Sequence, residues 1–424
     1  MNDNIATPFA KPLYVMLKPA GAHCNLACKY CYYLEKNNLY QNSHRHLMSD
    51  EMLEQFTREY IEAQTMPQVL FTWHGGEPLM RSIDFYKKAL ALQKKYAHGK
   101  QIDNVIQTNG TLLTDEWCEF FAKNHFLVGI SIDGPQEYHD HYRRTSAGKP
   151  SWEKVMHGIH LLKKHRVEWN AMAVVNAYNA EHPLEFYHFF RDNGCQYLQF
   201  TPIVERLTEH EDGRTLASLA DVSHEDNYED VGNAKKQKKN QEITIADFSV
   251  TPEQWGKFLC TIFDDWVRHD VGKIFVEIFD CTLANWVGVQ PGICAYSKEC
   301  GHAGVMEHNG DVFSCDHFVF PEYKLGNIQD KSLIDMLYGE KQQAFSRLKH
   351  TSLPRQCKEC AMEFACHGEC PKNRFDRDKY GEPGLNYLCK GYYEYYTHVA
   401  PYMDFMKREL QAQRPPANIM NVLK

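Results

Sequence analysis

The sequence predicts an α/β fold: a partial (β/α)6 parallel barrel followed by a small cysteine-rich domain with a β-hairpin and helices. Three observations carry this. Short apolar strands alternate with stretches of helical length and periodicity over the first half of the chain. The polar and Gly-rich motifs fall where those strands end, the place for functional loops in a parallel barrel. The 15 cysteines in 424 residues separate into an early trio, a late group and a scatter between.

Residues 13–19 (LYVMLKP) read as a strand leading into a cysteine loop. A helix follows over 49–63, with Ser49 as N-cap ahead of Met52 and Leu53. Residues 69–78 form a strand entering a Gly-rich turn; 83–97 are helical, 104–110 a strand, and 114–124 a helix capped by Thr114. The alternation continues with strands at 127–135, 168–176 and 196–203 and helices at 151–165 and 182–192. Right-handed crossovers between these units give a parallel sheet that stops short of eight strands. Residues 205–246 break the pattern. Glu205, Glu209, Glu211, Asp212, Glu225, Asp226, Glu229 and Asp230 precede a basic run of Lys235, Lys236, Lys238 and Lys239. This composition suits a solvated insertion, or a lid or docking segment. Helices are expected over 251–270, with Pro252 in its first turn, and 279–288. Residues 304–315 read as a hairpin turning at Asn309-Gly310, and the tail from Leu385 to about Leu410 as an aromatic-rich helix. The expected domains are 1–204 for the barrel, 205–250 for a charged insertion or linker, 251–290 for connecting helices and 291–424 for the cysteine-rich part.

Hydrophobic residues make up 43% of the chain, enough for a large core. No apolar run approaches the roughly 18 residues of a membrane span, and the polar N-terminus lacks a signal-peptide core. A cytoplasmic protein without membrane contact is expected. Lys and Arg number 47 against 55 Asp and Glu, a net charge of −8, which argues against a nucleic-acid partner. Cysteines in a large chain with no export signal point to metal rather than disulfides.

The segment CNLACKYC spaces Cys24, Cys28 and Cys31 as CxxxCxxC. Three thiolates on one loop hold three irons of a [4Fe–4S] cubane and leave the fourth open to a substrate. A zinc site completed by His23 is the alternative. Eight further cysteines come late: Cys294, Cys300, Cys315, Cys357, Cys360, Cys366, Cys370 and Cys389. Eight thiolates fill two closed [4Fe–4S] sites, or two zinc sites. Cys118, Cys195, Cys260 and Cys281 sit among apolar residues and read as inert buried thiols. The histidines of HRH (44–46) and HDH (139–141) read as surface or loop residues.

The CxxxCxxC spacing, with Gly75, Gly76, Glu77 and Pro78 (GGEP) after a strand, resembles the radical S-adenosylmethionine enzymes. The resemblance implies that the open iron chelates the methionyl amino and carboxylate groups, and that Glu77 accepts from the ammonium. It places Tyr30 near the adenine. It gives Asn109, Ser131, Asp133 and Arg143 to ribose and carboxylate contacts, and adds Leu198 to the cofactor pocket. The late cysteines resemble the SPASM domain, whose family pattern pairs Cys294, Cys300, Cys315 and Cys370 in one auxiliary cluster and Cys357, Cys360, Cys366 and Cys389 in the other. Three [4Fe–4S] clusters and S-adenosylmethionine are thus implied.

Asp316 directly follows Cys315 in FSCDHFVF. This segment, together with KPAGAHCNLACKYCYY, FTWHGGEP, QTNGTLL, GISIDGP, YLQF and LGNIQD, resembles the anaerobic sulfatase-maturating enzymes. These oxidise a Cys or Ser of a nascent sulfatase to Cα-formylglycine. The chemistry needs a radical to take a Cβ hydrogen, a base, and an acceptor for the second electron. The resemblance gives Asp316 as base and the auxiliary clusters as acceptor. It also implies an unfolded sulfatase partner and a low-potential donor such as flavodoxin or ferredoxin. A thioether-forming SPASM maturase would share the clusters without needing that base. A non-catalytic electron carrier or zinc protein would need no open iron.

Overall fold

The computed structural model describes residues 13–33, 36, 39, 40, 47–210, 213–216 and 244–423. In chain order the first half contains β1 (Tyr14–Leu17), α1 (Asp50–Ala63), β2 (Gln68–Trp73), α2 (Ile83–Tyr96), β3 (Gln101–Thr108), α3 (Asp115–Lys123), β4 (Leu127–Ser131), α4 (Gln136–Tyr142), α5 (Trp152–Lys164), β5 (Trp169–Val175), α6 (Pro183–Asp192) and β6 (Tyr197–Pro202). Then come β7 (Arg206–His210), β8 (Gly213–Leu216), β9 (Thr244–Ile245), α7 (Pro252–His269), β10 (Phe275–Val276), α8 (Glu277–Val287), β11 (Ala303–Met306), β12 (Asp311–Phe313) and β13 (Lys324–Asn327). The last helices of use here are α9 (Leu333–Leu337), α10 (Glu340–Thr351), α11 (Arg355–Lys358), α12 (Glu363–Cys366) and α13 (Cys389–Gln411).

The strand–helix alternation read from the sequence is present, and its start signals work as expected. Ser49 Oγ accepts from Met52 N at 3.1 Å, and Thr114 Oγ1 accepts from Trp117 N at 3.3 Å. Thr251 and Gln254 close a full capping box on α7, with Pro252 at its start. One expectation fails. His139, Asp140 and His141 are not loop residues but lie on α4, with His139 and Asp140 buried. Tyr138 and Tyr142, four apart, turn that short helix inward, and both are buried.

Packing divides the chain into two compact units. The first comprises Met1–Ser131, Tyr142–Trp169 and Gly301–Arg347. Its sheet runs β4-β3-β2-β1-β11-β12-β13. The first five strands are parallel, with Leu17 opposite Trp73 on one side and Met306 on the other. The hairpin predicted at 304–315 is there, with Met306 paired to Val312 and Gly310 in the left-handed region at φ 88°. Pairing of β11 with β1 carries the late hairpin to the strand that feeds the cysteine loop. Val15, Leu17, Val69, Phe71, Trp73, Ile106, Val128 and Ile130 fill the core around these strands.

The second unit comprises Ile132–His141, Asn170–Cys300 and Leu348–Lys424. Parallel β5, β6 and β10 pair side by side. Helix α13 crosses α7 closely, because a Cβ on Gly391 would lie 2.2 Å from Pro252 O. Within the expected insertion at 205–246, the described residues form a small antiparallel sheet, β8-β7-β9. Glu211, Asp212, the later acidic residues and the lysine run lie outside the described residues, as does HRH.

Candidate active site

The first unit holds Cys24, Cys28 and Cys31 on the loop that follows β1, each half-buried. Backbone bonds stitch this loop to the strip beyond α4: Ala27 N donates to Arg144 O at 2.7 Å and Lys29 N to Tyr142 O at 3.1 Å. Cys24 Sγ accepts from Leu26 N at 3.4 Å and from Asn109 Nδ2 at 3.7 Å. Burial pushes the Cys24 thiol up to about 11, and those two donors pull the other way. A thiol in this position becomes a ligand when a cation takes over the compensation, as a cluster iron does.

The glycines of GGEP have a role the sequence did not disclose. A Cβ on Gly76 would lie 2.3 Å from His23 O, and one on Gly75 2.9 Å from Gly21 O. Gly76 N donates to Gly21 O at 2.8 Å and Glu77 N to His23 O at 2.9 Å. The glycines therefore let the loop after β2 lie against the cysteine loop. Glu77 is fully buried. Its carboxylate accepts from Leu79 N at 2.9 Å, Thr108 Oγ1 at 2.7 Å and Asn109 N at 2.7 Å. A carboxylate offers about four acceptor positions, so capacity remains for one further donor such as an ammonium. Burial pushes Glu77 up to about 7 against the pull of those three bonds.

The other predicted cofactor contacts lie in both units. Asn109 bridges Asn25 Oδ1 at 2.8 Å and accepts from Thr111 Oγ1 at 2.7 Å, so it shapes the cysteine loop directly. Ser131 Oγ accepts from Gln107 Nε2 at 2.9 Å at the end of β4. Tyr30 is buried edge-on to Tyr142, with the Arg143 guanidinium 5.5 Å from its ring centroid. In the second unit, Asp133 is fully buried and accepts from Val174 N at 2.9 Å, while Leu198 is buried on β6.

Asp316 lies in the first unit on the turn after β12, immediately after Cys315. Its carboxylate forms an ion pair with Lys18 and accepts from Tyr32 Oη at 2.5 Å. Tyr32 packs edge-on to His317, and Lys18 Nζ reaches His74 Nδ1 at 3.4 Å and sits 4.0 Å from the Tyr33 ring centroid. Burial alone would raise the Asp316 carboxyl, but Lys18 foremost, with His74 and His317, holds it well below the usual carboxylate range. The ion pair with Lys18 therefore favours the ionised carboxylate, the form that can accept a proton, at the expense of its basicity. Sequence reasoning found Asp316 but missed Lys18, His74, Tyr32 and His317. All four stand inside the motifs quoted above; His317 adjoins Asp316 in the chain, whereas Lys18, His74 and Tyr32 meet it only because β11 pairs with β1.

Among the described residues no cysteines form a disulfide. In the second unit Cys294, Cys300 and Cys370 lie within electrostatic reach of one another, and so do Cys357, Cys366 and Cys389. Cys360 lies within electrostatic reach of Cys357 and Cys389. Burial and mutual repulsion push Cys366 and Cys370 up strongly. Among the described residues no three His, Cys, Asp or Glu groups converge on one metal ion. A cubane asks for no such point, because each thiolate takes a different iron. The second unit also buries two cations, Lys349 and Arg374, beside these thiols. Burying a cation is costly unless negative charge compensates it. A cubane held by four thiolates is net negative, so the donor set and its surroundings fit such clusters. Arg374 Nε donates to Gly368 O at 2.8 Å, and Nη2 donates to His367 O at 2.7 Å and Glu369 O at 2.9 Å. His367, Gly368 and Glu369 all lie in the left-handed region, at φ 47°, 66° and 51°. Such a conformation costs roughly 1–3 kcal/mol per non-Gly residue and persists only where its surroundings enforce it.

Known proteins extend this picture. The Radical SAM superfamily profile matches residues 19–190, and the SPASM iron–sulfur cluster-binding domain matches 299–361. A serine-type anaerobic sulfatase-maturating enzyme of Bacteroides thetaiotaomicron is 67% identical over 424 residues, covering 100% of this chain and 98% of the relative. A cysteine-type anaerobic sulfatase-maturating enzyme of Clostridium perfringens is 30% identical, covering 92% of this chain and 97% of the relative. The solved structure of native anSMEcpe with bound AdoMet and the Cp18Cys peptide matches with a TM-score of 0.77 at 28% identity, covering 94% of this chain and 100% of that one. The expected α/β fold, with a radical SAM core and a SPASM domain, is therefore borne out, as are enzyme status and the use of S-adenosylmethionine and iron–sulfur clusters. Among the described residues no helix is long and apolar enough to cross a membrane. The cysteine loop, its GGEP buttress, the carboxylate beside Cys315 and a near-full-length likeness lead to one assignment: the chain belongs to the anaerobic sulfatase-maturating enzymes.

Proposed function

We propose that this chain oxidises a seryl side chain of an unfolded sulfatase polypeptide to Cα-formylglycine, with Asp316 as the base and three [4Fe–4S] clusters in place. The carrying observation is the ionised, Lys18-paired Asp316 beside a cluster cysteine in the first unit. The preference for serine is supported by the 67% likeness to a serine-type enzyme. Cys24, Cys28 and Cys31 would hold the first cluster, which with S-adenosylmethionine would supply the 5′-deoxyadenosyl radical that takes a Cβ hydrogen.

The chain's own residues do the rest. Glu77 receives the methionyl ammonium with its spare acceptor position, and Asn109 and Leu26 N steady Cys24 through its sulfur. Once the Cβ hydrogen is gone, the substrate hydroxyl gives up its proton far more easily than a resting alcohol, which brings it within reach of a carboxylate. Lys18 keeps Asp316 ionised between turnovers, and the Tyr32 hydroxyl fixes its orientation. The late cysteines would hold the auxiliary clusters, which would supply an acceptor for the second electron, and flavodoxin or ferredoxin is the donor class expected for the first cluster.

The test is direct. Reduced, reconstituted enzyme is mixed with Ser- and Cys-containing sulfatase-motif peptides and the products are weighed. Two-electron oxidation lowers a Ser peptide by about 2 Da and a Cys peptide by about 18 Da. Faster loss from the Ser peptide is expected; an untouched Ser peptide overturns the serine reading.

A further inference from the structure

Two buried cations lie within electrostatic reach of the cysteines of the second unit. Lys349 is fully buried, and its ammonium donates to Ala295 O at 2.7 Å, to Ser297 O at 2.5 Å and to Cys294 O. It lies within electrostatic reach of Cys300, Cys294 and Cys370. Arg374 is buried too, and its Nη1 donates to Lys349 O at 2.5 Å, so the two cations belong to one network. The remaining guanidinium bonds clamp the left-handed turn 367–369, which joins Cys366 to Cys370. A Cβ on Gly368 would lie 2.7 Å from Arg374 Nη2, so the turn and the guanidinium are fitted to each other. Arg374 lies within reach of Cys370 on one side and of Cys366 and Cys357 on the other. Among the described residues neither cation is ion-paired to a carboxylate.

We propose that Lys349 and Arg374 are positioning residues that tune the auxiliary clusters: Lys349 biases the cluster held by Cys294, Cys300 and Cys370, and Arg374 biases both. The inference rests on the cluster assignment above. Adding an electron makes a thiolate-bound cubane more negative, and a fixed cation nearby in a low-dielectric interior stabilises that state. The pair thereby raises the potentials of the auxiliary clusters. It equips them to take the second substrate electron, one iron–sulfur cluster being reduced as the substrate is oxidised. The hydrogen bonds of Lys349 and Arg374 go to backbone carbonyls, and the buried Glu369 carboxylate, which accepts from Asn386 Nδ2 at 2.8 Å, lies within electrostatic reach of both; two cations against that carboxylate still leave a net positive charge beside the thiols.

The experiment is an EPR-monitored redox titration of anaerobically reconstituted full-length enzyme, with iron content measured on the same samples. Lys349→Gln and Arg374→Gln remove the charge and keep an amide donor; Arg374→Lys keeps the charge and loses the fork. Lys349→Gln is expected to lower the reduction equilibrium of one auxiliary cluster by about tenfold, about 59 mV for one electron. Arg374→Gln should shift both auxiliary clusters, and Arg374→Lys should recover most of that shift. The signal from the Cys24, Cys28 and Cys31 cluster should not move. Unchanged potentials in iron-replete Lys349→Gln overturn the inference. Loss of iron from both Gln variants and from Arg374→Lys overturns it as well, because the cations are then scaffold. Wild-type enzyme with no auxiliary-cluster signal overturns the cluster assignment itself, and the inference with it.

Discussion

The early and late cysteines solve opposite problems. Cys24, Cys28 and Cys31 stand on one loop, half-buried, and three thiolates leave an iron uncovered. Their support is local: Leu26 N and Asn109 on Cys24, and the two glycines that bring the loop after β2 against them. The late cysteines come from the segment 294–300, the turn after β12, α11, α12, α13 and the turns between these helices, with a left-handed turn joining Cys366 to Cys370. On the proposed ligand assignment, the difference teaches that an open cluster can be written in a short motif, whereas closed clusters must be built by the fold. Damage to the first should stop chemistry and spare the structure; damage to the second should stop chemistry and destabilise the fold.

The largest expected effect follows from the first half of that contrast. Replacing Cys24, Cys28 and Cys31 together by Ala should remove about four of about 12 irons and abolish 5′-deoxyadenosine formation. The far-UV circular dichroism should stay that of the wild type. An unchanged iron count sinks the assignment. Cys357→Ala tests the other half. A four-thiolate site couples metal binding to folding, so this variant should lose activity and also yield and Tm. Full turnover at normal stability would show that the late set does not depend on Cys357.

How much of this was legible beforehand follows the same line. CxxxCxxC, GGEP, the N-caps at Ser49 and Thr114 and the Asn309-Gly310 hairpin are signals of a few residues, and the structure contains the caps and the hairpin where they were read. Periodicity reports which face of a strand is buried but not which strand lies beside it. Hence the parallel pairing of Tyr14 with Ala303 was invisible, and with it the meeting of Lys18 with Asp316. His139 was misread for a related reason, since its burial comes from the tertiary setting of α4 rather than from its own polarity. Arg374 gave no signal because its partners are carbonyls, which no sequence pattern marks.

A smaller effect separates chemistry from cluster integrity inside the first unit. Asp316→Asn keeps the shape and the acceptor oxygen for Tyr32 but cannot take a proton. All clusters should assemble and S-adenosylmethionine should still be cleaved. Ser-peptide oxidation should fall by roughly 10²–10⁴-fold, the usual contribution of a positioned base. A Cys peptide should suffer less, because a thiol with pKa about 8.5 releases its proton far more readily than an alcohol. Deoxyadenosine should then outrun formylglycine, and wild-type rates on the Ser peptide would make Asp316 structural.

The smallest effect concerns the buttress of the open cluster. Burial raises the Glu77 carboxyl from an ordinary 4.5 to about 7. A folded-state pKa above the unfolded one contributes stability that is complete below the unfolded value and is lost as pH rises through the folded value. Enzyme without S-adenosylmethionine should therefore lose Tm between pH of about 4.5 and about 7. Glu277 and Asp280 in the second unit are also pushed up to about 7 by burial and add to the same slope. The informative quantity is thus the difference between wild type and Glu77→Gln, which keeps an acceptor oxygen but cannot ionise. That difference should shrink when S-adenosylmethionine is added, because its ammonium supplies the positive charge that the buried carboxylate lacks. Anaerobic thermal melts of both proteins across that pH range, with and without the cofactor, measure it. Equal slopes in the two proteins would mean that Glu77 stays ionised in its three hydrogen bonds, and that cofactor binding finds the carboxylate already charged.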